Sequence, residues 1–151
     1  MGDDLSVMGG TKPSKFQNAD SRWQIFVMVQ TVNSEAMKNR TKNFALLVIR
    51  LCRTVPRTEE SRIIWRQLLR SATSVAANYR AVCRARSTPD FISKLGIVLE
   101  ESDETLFWIE LLVETGSVAL EKATASLIEA NELVSIFVAS LRTVKRVQAA
   151  I

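Results

Sequence analysis

Beyond residue 40 the chain gives its backbone very few places to turn: its prolines there are Pro56 and Pro89, and its glycines Gly96 and Gly116. Sheets need frequent turns, and turns are made largely from glycine and proline, so the stretches between these breaks are expected to be long helices. In residues 40–54, Phe44, Leu47, Val48, Leu51 and Cys52 recur at three- and four-residue spacing, which predicts helix one. Pro56 ends it by pushing Val55 toward extended geometry. Thr58 then caps helix two, Glu59 and Glu60 face the positive end of its dipole, and the pattern continues to about residue 85. Ser87 or Thr88 caps helix three, with Pro89 at its first position and Asp90 behind, and Gly116 stops it. A turn over residues 117–124 leads into helix four, about residues 125–148. Connections this short allow only antiparallel neighbours. The expected fold is all-α, an antiparallel up-down four-helix bundle with a disordered or appended N-terminal segment.

That segment is less regular. Residues 1–20 are polar, glycine-containing and aperiodic, and read as disordered. Residues 21–33, with Trp23, Ile25, Phe26, Val27, Met28 and Val29, suit a short strand or a helix. Met37, followed by Lys38, Asn39 and Arg40, has the look of a true start. On that reading residues 1–36 are an extension and residues 37–151 the bundle domain.

Hydrophobic residues make up 47% of the chain and charged residues 24%, a balance that sustains a core rather than disorder. The chain has no histidine. This excludes Ser-His-Asp and Cys-His nucleophilic sites, His-ligated zinc and the Glu-x-x-His di-iron bundle. Cys52 and Cys83 cannot form a structural zinc site by themselves. Cys83 falls on an apolar arc and is expected to be a buried thiol. With no disulfide framework, the expected compartment is the reducing cytoplasm. No apolar run approaches the ~20 residues of a membrane span, and MGDDLSVMGG lacks the basic and apolar regions of a signal peptide. No cofactor, metal or membrane partner is expected.

Helices three and four carry more apolar residues than one bundle core requires. Helix three has Phe91, Leu95, Val98, Leu99, Leu106, Ile109 and Val113 on its main arc, and a second set of Ile97, Trp108, Leu111 and Leu112. Helix four has Leu127, Ile128, Leu133, Val134, Ile136, Phe137, Val138, Leu141 and Val144 around much of its circumference. Such surplus usually enters a subunit interface, so a homo-oligomer is expected. The alternative is a core that needs the width.

Charge is unevenly placed. Residues 38–94 hold 13 Lys/Arg against Glu59, Glu60 and Asp90, whereas residues 95–135 hold nine acids against Lys122 alone. On helix two, Arg62, Arg66, Arg70, Arg80 and Arg84 fall at roughly 0, 40, 80, 0 and 40°, one face of a helix at 100° per residue. Opposite them are Ile64, Trp65, Leu68, Ala72, Val75, Tyr79, Val82 and Cys83. Arginine stays ionised, and its planar fork suits phosphate or carboxylate oxygens. The row, spanning about 33 Å, has the reach to follow several phosphates of a nucleic acid. No RNA-recognition motif accompanies it, so any nucleic-acid contact is expected to be electrostatic and led by shape. The competing reading pairs the arginines with Glu100, Asp103, Glu104, Glu110, Glu114, Glu129 and Glu132 in the same or a neighbouring subunit. Exposed pairs of that kind contribute only about 0–1 kcal/mol each.

A second stripe on helix two, Gln67, Ser71, Ser74 and Asn78, has the small polar residues that let helices approach and hydrogen-bond across a seam. Packing, not catalysis, is its expected role. The acids Glu100, Glu101, Asp103 and Glu104, then Glu129 and Glu132, are weakly similar to the Mg²⁺-binding pattern of helical nucleotide pyrophosphatases. Glu132 departs from the aspartate of that pattern's second element, and an Mg-dependent pyrophosphatase is the least favoured reading.

Several separated motifs carry a stronger resemblance. Residues 69–80 (LRSATSVAANYR), Ser87 to Phe91, residues 94–112 (KLGIVLEESDETLFWIELL), and residues 132–136 and 143–146 occur in the order seen in bacterial four helix bundle proteins. The chain resembles that family, also called the 23S ribosomal RNA intervening-sequence protein family, over about residues 37–147. One departure is Ala81, where many relatives have glutamate after Asn-Tyr-Arg, which makes the arginine face here more purely positive. The resemblance implies an antiparallel bundle, often a ring-like homopentamer. It also implies similarity to the accessory protein of diversity-generating retroelements, a basic pentamer that binds a reverse transcriptase and its RNA template. By that analogy the five arginines form a surface for RNA or for a reverse transcriptase. The expectation is a non-enzymatic oligomer that binds nucleic acid or a nucleic-acid enzyme. Its rival is a structural or protein-adaptor bundle that binds no nucleic acid.

Overall fold

The structure, a computed structural model, describes the backbone of residues 15–150 and the side chains of residues 34–150. Among the described residues there are four helices, α1 (Lys15–Arg53), α2 (Glu59–Val82), α3 (Thr88–Glu114) and α4 (Leu120–Ala149). Each packs against the next in sequence, and α4 returns to α1, closing a four-helix bundle.

The helix ends follow local chemistry. The Thr58 hydroxyl accepts the Ser61 N–H at 3.2 Å while the Ser61 hydroxyl accepts the Thr58 N–H at 3.0 Å, a reciprocal cap that satisfies the first turn of α2. Ser87 caps α3 by accepting the Asp90 N–H at 3.2 Å, and Pro89 sits in the first turn, where a missing N–H costs nothing. The Asp90 carboxylate bonds the Arg86 N–H at 2.9 Å and Lys94 Nζ at 2.7 Å, so its pKa lies below the ordinary value. At the far end of α3, Gly116 takes φ +70°, the left-handed conformation that a side chain disfavours.

Three boundaries differ from the sequence reading. Helix α1 begins at Lys15 rather than near residue 40, so the backbone of residues 15–36 is helical. No glycine or proline stands between Lys15 and Arg53, and nothing local stops the helix from propagating. Of the stretch expected to be disordered, residues 1–20, residues 15–20 are helical instead, and residues 1–14 lie outside the described residues. Helix α2 ends at Val82, three residues early, because Cys83 to Ser87 form the turn into α3. Cys83 is therefore exposed instead of buried, and Cys52 is the buried thiol, pushed up to about 12 by desolvation. Helix α4 starts at Leu120, five residues early, without a side-chain cap on Ala119.

The core joins all four helices. Val48, Leu68, Ala72, Val75, Leu95, Val98, Ile109, Leu112 and Leu133 are fully enclosed, and the Tyr79 and Phe137 rings stack 5.9 Å apart between α2 and α4. A buried side chain of this size contributes about 1.5–3 kcal/mol. The α3 stripe is shifted from its expected arc. Ser102 and Thr105 are buried, while Leu99, Leu106 and Val113 are only half-buried. The hydroxyls enter the core at small cost because each bonds the carbonyl four residues back, Ser102 to Val98 and Thr105 to Glu101, both at 2.7 Å.

Much of the apolar surplus is absorbed by this packing. Leu112 is in the core, and Trp108, Leu111, Leu127, Val134, Ile136 and Val138 are half-buried. Ile63, Ile97, Phe107, Leu120 and Ile128 remain exposed. Helix α4 is also long and apolar enough by length and composition to cross a membrane, contrary to the sequence estimate. Here it packs as the fourth helix, and its acids Glu129 and Glu132 both bond Arg40 of α1.

Candidate nucleic-acid interface

Helix α2 presents its apolar arc to the core and its basic arc outward. Ile64, Leu68, Ala72, Val75, Tyr79 and Val82 are buried, whereas Arg62, Arg66, Arg70 and Arg80 are exposed. Arg84 is exposed too, but it lies in the turn beyond the helix, so the row is four residues on α2 plus one after it.

These arginines differ in what they touch. Arg70 donates from Nη2 to Glu104 Oε1 at 2.8 Å and from Nε to Gln67 Oε1 at 3.2 Å. The same Glu104 oxygen accepts Trp108 Nε1–H at 3.1 Å, so Arg70 is held in a network between α2 and α3. Arg66 lies near Trp65, its guanidinium carbon 5.9 Å from the ring centroid, and Arg57 covers that ring at 4.4 Å. Arg62, Arg66, Arg80 and Arg84 form no ion pair among the described residues. The row therefore keeps four uncompensated cations, three on the outer edge of α2 and one in the following turn.

The polar stripe faces α3. Ser71 is buried, its hydroxyl 3.0 Å from Thr105 Oγ1 and 3.2 Å from the Leu68 carbonyl, while Gln67, Ser74 and Asn78 are half-buried around it. Small hydroxyl side chains at Ser71 and Thr105 bring the two helices close and satisfy each other across the seam.

The acidic clusters are not brought together. Glu101 and Glu104 sit on the α2 side of α3, whereas Glu129 and Glu132 bond Arg40 on α1. Among the described residues no group of three or more Cys, Asp or Glu is placed to hold a metal ion. Burial raises the Glu101 carboxyl above its ordinary value; Glu104 and Glu100 add to the rise, and Arg70 opposes it.

Sequence reasoning passed over Arg40. Its Nε and Nη2 donate to Glu129 at 2.6 and 3.0 Å and it also bonds Glu132, which together hold the guanidinium firmly charged. The signal was present only as two glutamates three apart on helix four; their partner is 89 residues from one and 92 from the other in sequence. Lys38 and Lys42 were passed over as well. They stand on α1 beside Arg80, a neighbourhood visible only once α1 and α2 are set side by side.

This architecture defines a class, an all-helical four-helix bundle. The chain belongs to the 23S rRNA-intervening sequence protein family, whose family model matches residues 34–139. Among solved structures it is similar to a protein of unknown function from the S23 ribosomal protein family of Bacteroides thetaiotaomicron. The two are 31% identical with a TM-score of 0.64, over 69% of this chain and 96% of that one. A search of curated proteins finds no match.

Proposed function

We propose that this chain is a non-enzymatic, cytoplasmic homo-oligomer that binds RNA, or an enzyme acting on nucleic acid such as a reverse transcriptase, through the basic face of α2. The observation that carries the reading is the set of exposed arginines Arg62, Arg66, Arg80 and Arg84, which no acid of the bundle neutralises among the described residues. A row made to pair within the subunit would consume its charges, and only Arg70 is consumed. The family's description, 23S rRNA-intervening sequence protein, supports an RNA context. Repetition of the face around a ring, with five subunits as the family resemblance implies, would multiply the field.

Changing Arg66, Arg70 and Arg80 to glutamine should weaken binding to structured RNA and flatten its salt dependence, while the oligomer stays intact. Each lost phosphate contact lowers the slope of log K against log salt by about 0.7–0.9. Anisotropy of a labelled RNA across a salt series reads this directly. A slope that does not move would sink the proposal. The adaptor reading predicts the reverse, an oligomer that loosens and no RNA binding to lose. It draws on the Arg70–Glu104 pair alone.

A further inference from the structure

The arginine row has two edges, and they meet different neighbours. The edge at Arg70 is tied to α3 through Glu104. The edge at Arg80 borders a groove between α1 and α2 of about 370 Å³. Across that groove from Arg80 stand Lys38 and Lys42, one helical turn apart on α1. Glu35, the one acid lining it, pairs with Lys38. Lys42 and Arg80 are both exposed, and neither has an ion pair among the described residues. Asn39 and Thr73 add neutral polar groups at the walls, while the α2 side between them is built from Ala76 and Ala77.

We infer that the phosphodiester backbone of RNA lies in this α1–α2 groove, held between Lys42 of one helix and Arg80 of the other. The inference rests on the nucleic-acid reading above and moves its centre from the length of α2 to the seam with α1. Cations on both walls of a trough can hold a phosphate from two sides, which a row on one convex helix cannot do. The alanines keep the trough shallow and open for a polar strand. An acidic helical peptide fits less well, because helix-in-groove docking depends on several large apolar anchors and pockets for them, and Leu46 is the one large apolar side chain on walls otherwise made of alanines and polar residues. Readout there is of backbone charge, and base identity goes largely unread.

Lys42 lies outside the arginine row, so it separates the groove from the row. In the full chain, Lys42→Gln and Arg80→Gln should each lower the salt slope for a labelled RNA hairpin by about 0.7–0.9, and the double variant by about twice that. The oligomer should be unchanged by light scattering. If Arg80→Gln or Arg62→Gln flattens the slope and Lys42→Gln does not, the groove assignment is overturned while the basic face stands. If the unmodified chain binds no RNA, both readings fall. Competition by poly-L-glutamate as effective as RNA, and lost in the same double variant, would overturn the nucleic-acid assignment in favour of an acidic protein.

Discussion

Glu101 is the carboxylate least at ease in the bundle. One of its oxygens, Oε2, is buried without a hydrogen-bond partner among the described residues, two more glutamates lie nearby, and Arg70 is committed to Glu104. Burial therefore raises its pKa in the folded state. A carboxyl that holds its proton more tightly when folded than when unfolded contributes most below the unfolded value, and stability is lost as pH rises through the folded value. Glu101→Gln removes that charge while keeping the shape. Its melting temperature should exceed that of the unmodified chain at neutral pH, by the equivalent of under about 1 kcal/mol given partial exposure, and the gain should vanish in acid below the carboxylate range. Equal melting at both pH values would show that the carboxylate is solvated after all. The neighbouring hydroxyls of Ser71, Ser102 and Thr105 make the opposite point, since each is buried but partnered.

At the level of helices, the seams are not held alike. The α2–α3 and α3–α4 seams are extensive, whereas α1 and α4 meet over a short stretch where Arg40 bonds Glu129 and Glu132. Replacing Arg40 with glutamine leaves two carboxylates close together without their cation. Urea denaturation should show a loss of about 1 kcal/mol, partly restored when Glu129 and Glu132 are also changed to glutamine. A single variant as stable as its parent would mean that apolar contacts alone close the bundle. This seam also shows the limit of reading the sequence. Caps at Thr58 and Ser87 and the stop at Gly116 were legible because each is decided within a few residues. The arginine face was legible because helical periodicity settles which side chains share an arc. Which of those arginines is neutralised was not legible, since Glu104 is 34 residues from Arg70 and their meeting depends on how α2 and α3 pack. The end of α2 was misplaced for a related reason. The apolar period runs through Cys83, but the chain must turn to reach the cap at Ser87.

For the whole molecule the open apolar side chains matter most. Ile97 is 44% and Phe107 50% exposed on the outward side of α3, and Phe107 packs edge-on against Trp108 at 4.8 Å. Half-buried Leu111 extends the same side. Leu120 and Ile128 on α4 are each 55% exposed. Burying such residues against another copy would yield about 25 cal/mol for each Å² of apolar surface removed from water, and a pair of lysines there would forfeit that gain and repel its symmetry mate. The double variant Ile97→Lys/Phe107→Lys should therefore appear as a monomer by light scattering where the unmodified chain is an oligomer, with its helical circular dichroism retained because neither side chain belongs to the core. Its RNA binding should weaken as well, since separated subunits no longer combine their basic faces. A variant that stays oligomeric would move the interface to α4, and an unmodified chain that is already monomeric would remove oligomerisation from the proposal, leaving one bundle to bind through one groove.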